Sequence, residues 1–189
     1  MKKFKASDII KPTVVLLVIC LVTSLLLAIT NEKTAPKIEE NAKQTELKTR
    51  QEVLPAAAEF EETKLGDVEY CIGKDAQGNP VGYVFVTASK GYGGKVKIMT
   101  GVTADGKVAG VQILELSETP GLGMRAKTDE SFLKQFVDKL GGIGVAKNDP
   151  GENEIQALTG ATITSKAVTG AVNEALEQYE TVKGGANHG

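Results

Sequence analysis

The hydrophobic positions of the chain follow two different patterns. Residues 12–30 carry no charged side chain and are apolar on every helical face, whereas from residue 68 onward short apolar stretches alternate with turn residues. As a helix rising about 1.5 Å per residue, the first run covers about 28 Å, which is the thickness of one hydrocarbon core. We therefore predict a transmembrane helix over residues 12–30, followed by a folded domain.

A buried core helix and a cleaved signal peptide are the alternatives to a retained span. A helix that packs one face against a protein core exposes a polar stripe to water on the other face, and residues 12–30 have no such stripe. A signal peptide has a shorter apolar stretch and an Ala-x-Ala-like site, which the residues around Ala28 do not match. Both comparisons favour the retained span.

The orientation of the span is predicted from its flanks. The short tail over residues 1–11 is rich in lysine, so the positive-inside rule predicts that it is cytoplasmic and that the rest of the chain is extracytoplasmic. The lysines are Lys2, Lys3, Lys5 and Lys11. We expect the protein to be a single-pass protein of the cell membrane.

Beyond the span the pattern predicts an α+β fold, with an antiparallel meander and flanking helices. A charged helix is expected to begin at Pro36 and to end before Pro55, within a juxtamembrane helix and linker over residues 31–64. Alternating apolar positions predict the strands, the last two of which are joined by a tight turn at Asp105 and Gly106. The predicted strands are residues 68–72, 81–87, 95–103 and 107–114.

Helical spacing returns in the last third of the chain. Apolar residues from Phe132 to Leu140 predict a helix capped by Thr128 or Asp129. A short strand at 155–158 and a final helix at 164–181 follow, and the buried stripe of that helix is expected to be Val168, Ala171, Val172, Ala175, Leu176 and Tyr179. The domain is assigned to residues 65–181, and residues 182–189, with His188, are assigned to a flexible tail.

Composition narrows the chemistry that the domain can perform. The net charge of −2 excludes a chain-wide basic surface for nucleic acid. Two cysteines and one histidine provide neither a metal cluster nor a disulfide framework. We interpret Cys20 as a packing residue of the span and Cys71 as a core residue of a strand. Any reaction of the domain must therefore depend on carboxylate or hydroxyl side chains or on a bound cofactor.

Three segments at element junctions are rich in Gly, Thr and Ser. They are residues 90–94 (Lys-Gly-Tyr-Gly-Gly), 118–123 (Glu-Thr-Pro-Gly-Leu-Gly) and 159–165 (Thr-Gly-Ala-Thr-Ile-Thr-Ser). The third precedes the last predicted helix, whose free N–H groups and dipole favour a bound phosphate. An ordinary bend, turn or helix cap also explains each segment, so the residues alone leave both interpretations open.

The third segment resembles the flavinylation motif of the FMN-binding domain family, and the other two segments are similar to that family's. With one span ahead of an external domain, the chain is identified as a member of the family of Rnf complex G subunits (ion-translocating ferredoxin–NAD oxidoreductases). The C subunits of sodium-translocating quinone reductases are related. The resemblance implies that a flavin transferase attaches FMN covalently to Thr162 through a phosphoester.

The resemblance also assigns roles to the other residues of the two later motifs. Those of the third segment are expected to expose the Thr162 hydroxyl or to line the phosphate or the flavin, and those of the second to lie against the flavin. The first group is Thr159, Gly160, Ala161, Thr164 and Ser165; the second is Glu118, Thr119, Gly121, Leu122 and Gly123. The chain departs from the family pattern at Gln156, where an Asp is usual, and at Leu116, where many members have His.

The function implied by the resemblance is electron transfer. The chain would be a redox subunit of a translocating oxidoreductase complex, with covalent FMN, no metal and no catalytic residues or active site of its own, working with the other Rnf subunits. The alternatives are a C-type subunit of a sodium-translocating quinone reductase, a stand-alone membrane-tethered flavin reductase, and an anchored scaffold without redox chemistry. Turnover without partners would identify the reductase, and a colourless protein would identify the scaffold.

Overall fold

The computed structural model describes residues 6–186. The chain divides into two units between Glu46 and Leu47, and each is described by itself. Four residues used in the sequence predictions lie outside the described residues: Lys2, Lys3, Lys5 and His188.

The first unit is the greater part of one long helix, α1 (Ala6–Val53). Its Val, Leu and Ile side chains between residues 14 and 29 are all substantially exposed, with Leu27 at 70%. Apolar side chains on every face suit a helix surrounded by lipid. In the described part of the chain, this is the one helix that is long and apolar enough to cross a membrane.

The expected helix start at Pro36 is not found, because α1 continues through Pro12 and Pro36 without a break. A proline removes one helical hydrogen bond and crowds the preceding turn. Around Pro36 the neighbouring Ala, Glu and Lys residues are good helix formers, which helps to keep the helix intact there. The predicted juxtamembrane helix is thus the second half of α1.

The second unit contains a five-stranded antiparallel sheet in which neighbours in sequence are neighbours in space. Its first strand, in a stretch that the sequence assigns to a linker, was missed because it has only two large apolar residues, Phe60 and Leu65. The strands are β1 (Glu59–Leu65), β2 (Val68–Lys74), β3 (Pro80–Lys90), β4 (Lys95–Thr103) and β5 (Val108–Leu116). The predicted antiparallel meander is confirmed.

The last helix, α4 (Thr162–Ala186), packs against one face of this sheet. The predicted stripe from Val168 to Tyr179 is buried. The helix also continues through residues that the sequence assigns to a flexible tail, because Val182 is buried in the same core. The Tyr179 hydroxyl donates a hydrogen bond to the Ala104 carbonyl at 2.6 Å, which ties α4 to the β4–β5 turn.

Short elements connect β5 to α4. The predicted helix at 132–140 is shorter and begins earlier in the structure, where it runs from Glu130 to Lys134. Asp129 is its N-cap and accepts from Ser131 N–H at 3.1 Å. The chain then turns back at Asp138, whose N–H bonds to Val108 O, so the helix cannot continue to Leu140. The connecting elements are α2 (Arg125–Thr128), α3 (Glu130–Lys134) and two parallel strands, β6 (Gly144–Ala146) and β7 (Glu154–Gln156).

The opposite face of the sheet holds the last turn of α1. Val53 and Leu54 are buried there, in a cluster with Cys71, Val84 and Met99. Four glycines on four successive strands make room for them, and we call these the glycine row: Gly73, Gly82, Gly101 and Gly110.

The glycine row is closely matched to the end of α1. A Cβ on Gly101 would overlap the Val53 carbonyl oxygen, and one on Gly110 would lie 2.9 Å from Val53 Cα. On Gly73 it would lie 2.5 Å from Leu54 Cδ2. Arg50 adds an ion pair with Glu62 of β1, at 2.7 Å. The last turn of α1 and the residues up to Ala57 therefore pack against the sheet of the second unit and are not a loose linker.

Candidate functional site

The three Gly-, Thr- and Ser-rich segments come together at one end of the sheet. They form an open cleft of about 500 Å³. This volume lies within the range of small-molecule and cofactor sites. The cleft is lined by Tyr92, Glu118, Thr119, Leu122, Gly123, Gly160, Ala161, Thr162, Ile163 and Thr164.

Thr162 is the first residue of α4 and lies half-buried in the wall of the cleft. Gly160 reaches a φ of +78° just before it, a conformation that L side chains rarely adopt. The turn closes with the Ala161 N–H donating to Leu158 O at 2.9 Å. This arrangement brings the Thr162 side chain to the cleft at the start of the helix.

The first turn of α4 presents unpaired donors. The N–H groups at the start of a helix have no intrahelical acceptor. In the described part of the chain, no protein acceptor meets the N–H groups of Thr162, Ile163 and Thr164. Together with the helix dipole, they make this end of α4 suitable for an anion.

Ser165 acts within the turn and not in the cleft. Its side chain is fully buried, and its hydroxyl accepts from Leu158 N–H and donates to Ala161 O, both at 3.0 Å. Thr164 and Ser165 lie inside α4, so neither is its N-cap. The turn that presents Thr162 is therefore locked from behind by the Ser165 side chain.

The segment after β5 forms the facing wall. The N–H groups of Leu122 and Met124 both bond to the Thr119 carbonyl, at 3.2 and 3.3 Å, and Gly121 has a φ of +77°. Gly123 is packed tightly, because a Cβ there would lie 2.7 Å from Thr164 Oγ1. The resulting turn brings the backbone of this segment against the start of α4.

Most of the predicted site residues line the cleft, but three do not. Thr159 and Gly121 are exposed to solvent and do not line the cleft, and Ser165 is buried behind the cleft wall. Sequence reasoning missed two lining residues, Tyr92 and Ile163, which are 72% and 53% exposed. Only their position in the sequence could have identified these two residues, since each lies inside one of the three segments. Both side chains are therefore accessible to a ligand in the cleft.

Two family models match the chain. Residues 1–53 match the RnfG N-terminal region, and residues 91–177 match the FMN-binding domain. The second match includes all ten residues that line the cleft. The crystal structure of Shewanella oneidensis NqrC has a similar fold, with a TM-score of 0.50, 22% sequence identity, and coverage of 64% of this chain and 65% of that chain. The predicted α+β fold is confirmed.

Full-length relatives agree with both matches. The G subunit of the Na(+)-translocating ferredoxin:NAD(+) oxidoreductase complex of Acetobacterium woodii is 40% identical, over 92% of this chain and 93% of that protein. The proton-translocating counterpart of Clostridium ljungdahlii is 38% identical, over 90% and 91%. The G subunit of the ion-translocating oxidoreductase complex of Methanosarcina acetivorans is 32% identical, over 95% and 98%. With this identity along nearly the whole length of these proteins, the chain belongs to the family of Rnf complex G subunits, which confirms the resemblance seen in its motifs.

Proposed function

We propose that the protein is an electron-transfer subunit of a membrane-bound ion-translocating ferredoxin:NAD oxidoreductase complex, and that it carries FMN covalently bound in the cleft. The observation that carries the proposal is the convergence of the three segments on Thr162 at the start of α4. The relatives named above are subunits of such complexes, and the match to the FMN-binding domain includes the cleft.

The residues present fit FMN. The unpaired N–H groups at the start of α4 suit its phosphate, and the exposed apolar side chains of Tyr92, Leu122 and Ile163 suit a flat aromatic ring. When bound, FMN would supply one- and two-electron redox chemistry, and the protein would supply binding, orientation and electrostatics. No residue of the chain is then needed as a catalyst.

Thr162 is the proposed attachment residue. Its Oγ1 would form a phosphoester with FMN, with the net loss of one water, in a reaction performed by a flavin transferase. In the described part of the chain its hydroxyl has no hydrogen-bond partner within the protein, whereas the neighbouring Ser165 hydroxyl is engaged by the turn. Gly160 leaves space beside Thr162, since a Cβ there would lie 3.1 Å from Leu122 Cδ2. The attached phosphate would stay close to the helix N-terminus, which favours its negative charge.

The membrane arrangement follows from α1. We propose that residues 12–30 cross the membrane once, with the lysine-rich N-terminal tail in the cytoplasm and the FMN-binding domain outside. The span has no ionisable residue between Pro12 and Thr30, so it offers no polar path for an ion. Ion transport would belong to the other Rnf subunits, with the FMN of this subunit in their electron pathway.

The test is intact mass and in-gel flavin fluorescence of the full chain, co-expressed with a flavin transferase. Wild type is expected to gain the mass of FMN minus water and to fluoresce, whereas Thr162→Ala should do neither. Thr181→Ala is the matched control, because Thr181 is an exposed threonine of the same helix. A mass gain that survives in Thr162→Ala would contradict the attachment site. No gain in wild type would contradict covalent FMN and direct attention to Gln156.

A further inference from the structure

Glu118 bridges two walls of the cleft. It follows β5, and its carboxylate accepts hydrogen bonds from the loop between β3 and β4. Oε1 accepts from Tyr92 N–H at 2.8 Å, and Oε2 accepts from Gly93 N–H at 3.3 Å. Both carboxylate oxygens are therefore engaged by consecutive backbone donors about 25 residues away in sequence.

Two glycines make room for this carboxylate. A Cβ on Gly91 would overlap Glu118 Oε1, and a Cβ on Gly123 would lie 2.8 Å from Glu118 Cβ and 2.9 Å from its Oε2. One glycine belongs to the first segment and the other to the second. One glycine of each segment, Gly91 and Gly123, therefore lies directly against the Glu118 side chain.

The loop that Glu118 holds carries Tyr92. The loop is closed at its base by Gly91 N–H donating to Gly94 O at 2.8 Å. Its tip packs against Ser117 at Gly93 and Gly94, and it is hydrogen-bonded to Glu118 through the N–H groups of Tyr92 and Gly93. Tyr92 lines the cleft but is 72% exposed, so packing alone holds it weakly. The position of the ring therefore depends on the carboxylate.

We propose that Glu118 is a positioning residue, which fixes Tyr92 as a wall of the cleft against the FMN ring through the loop at residues 91–94. This inference rests on the proposed function for the identity of the ligand. Because its oxygens accept from the loop and carry negative charge, Glu118 orders the site without binding the phosphate.

To hold both N–H groups of the loop, the side chain at residue 118 needs two acceptor oxygens and the length of a glutamate. Glutamine has one acceptor, and its NH₂ group would face an N–H donor. Aspartate keeps the charge but is one methylene shorter. Both variants should release the loop, whereas an effect of charge alone would spare Glu118→Asp. The matched control is Glu115→Gln, which removes an exposed carboxylate of β5 that pairs with Lys97.

The test uses the full chain in detergent, without FMN, and measures amide hydrogen exchange of residues 91–94. Exchange in Glu118→Gln and Glu118→Asp is expected to be at least about tenfold faster than in wild type, since hydrogen bonds to a charged acceptor are lost. Glu115→Gln should match wild type. Unchanged exchange in Glu118→Gln would overturn the inference, and so would protection kept in Glu118→Asp but lost in Glu118→Gln.

A second measurement follows Tyr92 directly. The protein contains no Trp, so Tyr92→Trp places a single tryptophan at the cleft, which can be excited selectively at wavelengths where the remaining tyrosines do not absorb. Its acrylamide quenching should increase when Glu118→Gln is added and stay unchanged when Glu115→Gln is added. Equal quenching in all three backgrounds would contradict the role of Glu118 in positioning residue 92.

The same variants separate this inference from the proposed function. With a flavin transferase present, the Glu118→Gln chains that gain the FMN mass should differ from wild type in flavin fluorescence, because Tyr92 has moved. Suppose that wild type gains no FMN but that residues 91–94 still exchange faster in Glu118→Gln. This result would contradict the proposed function and uphold the positioning role. FMN attachment with identical flavin spectra and identical exchange would overturn the positioning role alone.

Discussion

At the scale of single residues, neighbouring hydroxyls of one motif have different surroundings. The Ser165 hydroxyl is buried and bonded on both sides, whereas Thr162, three residues earlier, faces the cleft. Helical spacing puts residues i and i+3 on the same face, so the difference comes from the turn at residues 158–161, which engages the Ser165 hydroxyl and leaves that of Thr162 at the cleft. The sequence shows both residues as equivalent hydroxyls at a helix start.

The buried hydroxyl gives the first prediction. Replacing Ser165 with Ala leaves the Leu158 N–H buried without its acceptor, which is expected to cost about 1–3 kcal/mol of unfolding free energy. Thr181→Ala, which removes an exposed hydroxyl bonded to Glu177 O, should cost much less. Chemical denaturation of the full chain in detergent measures both. Equal losses in the two variants would contradict the role assigned to Ser165.

At the scale of elements, the sequence predicts those strands and helices whose apolar residues follow a regular spacing. The predicted strand at 95–103 coincides with β4 (Lys95–Thr103), because its alternating apolar residues, including Val96 and Ile98, pack into the core beneath α4. The sequence did not show that the other face, with Met99, is buried too. β1 was missed because its side chains are mostly charged and exposed at a sheet edge. Contacts distant in sequence have no local pattern at all, which is why the link from Glu118 to Tyr92 could not be predicted, although all three motifs could.

The glycine row gives a prediction for the sheet. Gly101→Ala places a methyl group against the Val53 carbonyl, which is backbone and cannot rotate away. We expect a loss of at least about 2 kcal/mol, in the range of overpacked cores. Gly170→Ala in α4 is the control, because its nearest neighbour would be Ser89 Oγ at 3.6 Å, and Ala favours a helix. Urea denaturation should separate them, and similar stabilities would argue against the tight fit.

The cap of α3 gives a prediction about pH. The hydrogen bond from the Ser131 hydroxyl lowers the pKa of Asp129 below its ordinary value of 3.8. A pKa that is lowered in the folded state stabilises above the unfolded-state value, and this contribution is lost as the pH falls through the folded value. Asp129→Ala should thus be less stable than wild type at neutral pH, with a difference that narrows below about pH 4. Thermal unfolding between pH 7 and 2 measures it, and a constant difference would contradict it.

At the scale of the whole molecule, the boundary of the folded unit lies inside α1 and not after it. The unit begins at Leu47, and its core includes Val53 and Leu54. We expect a fragment of residues 47–189 to unfold cooperatively. A fragment of residues 58–189 lacks both side chains, each of which should contribute about 2 kcal/mol or more, a large share of a typical domain stability of about 5–15 kcal/mol. Circular dichroism melts compare them, and equal melting temperatures would refute the boundary.

The glycine row also limits how such proteins can be recombined. A chimera that joins the first helix of one relative to the sheet of another would bring together a helix end and a recess shaped independently of each other. Because a methyl group at Gly101 or Gly110 already collides with Val53, this contact tolerates few substitutions on either side. The exchangeable module is therefore residues 47–57 together with the strands they contact, and the natural place to splice lies upstream, within the exposed stretch of α1.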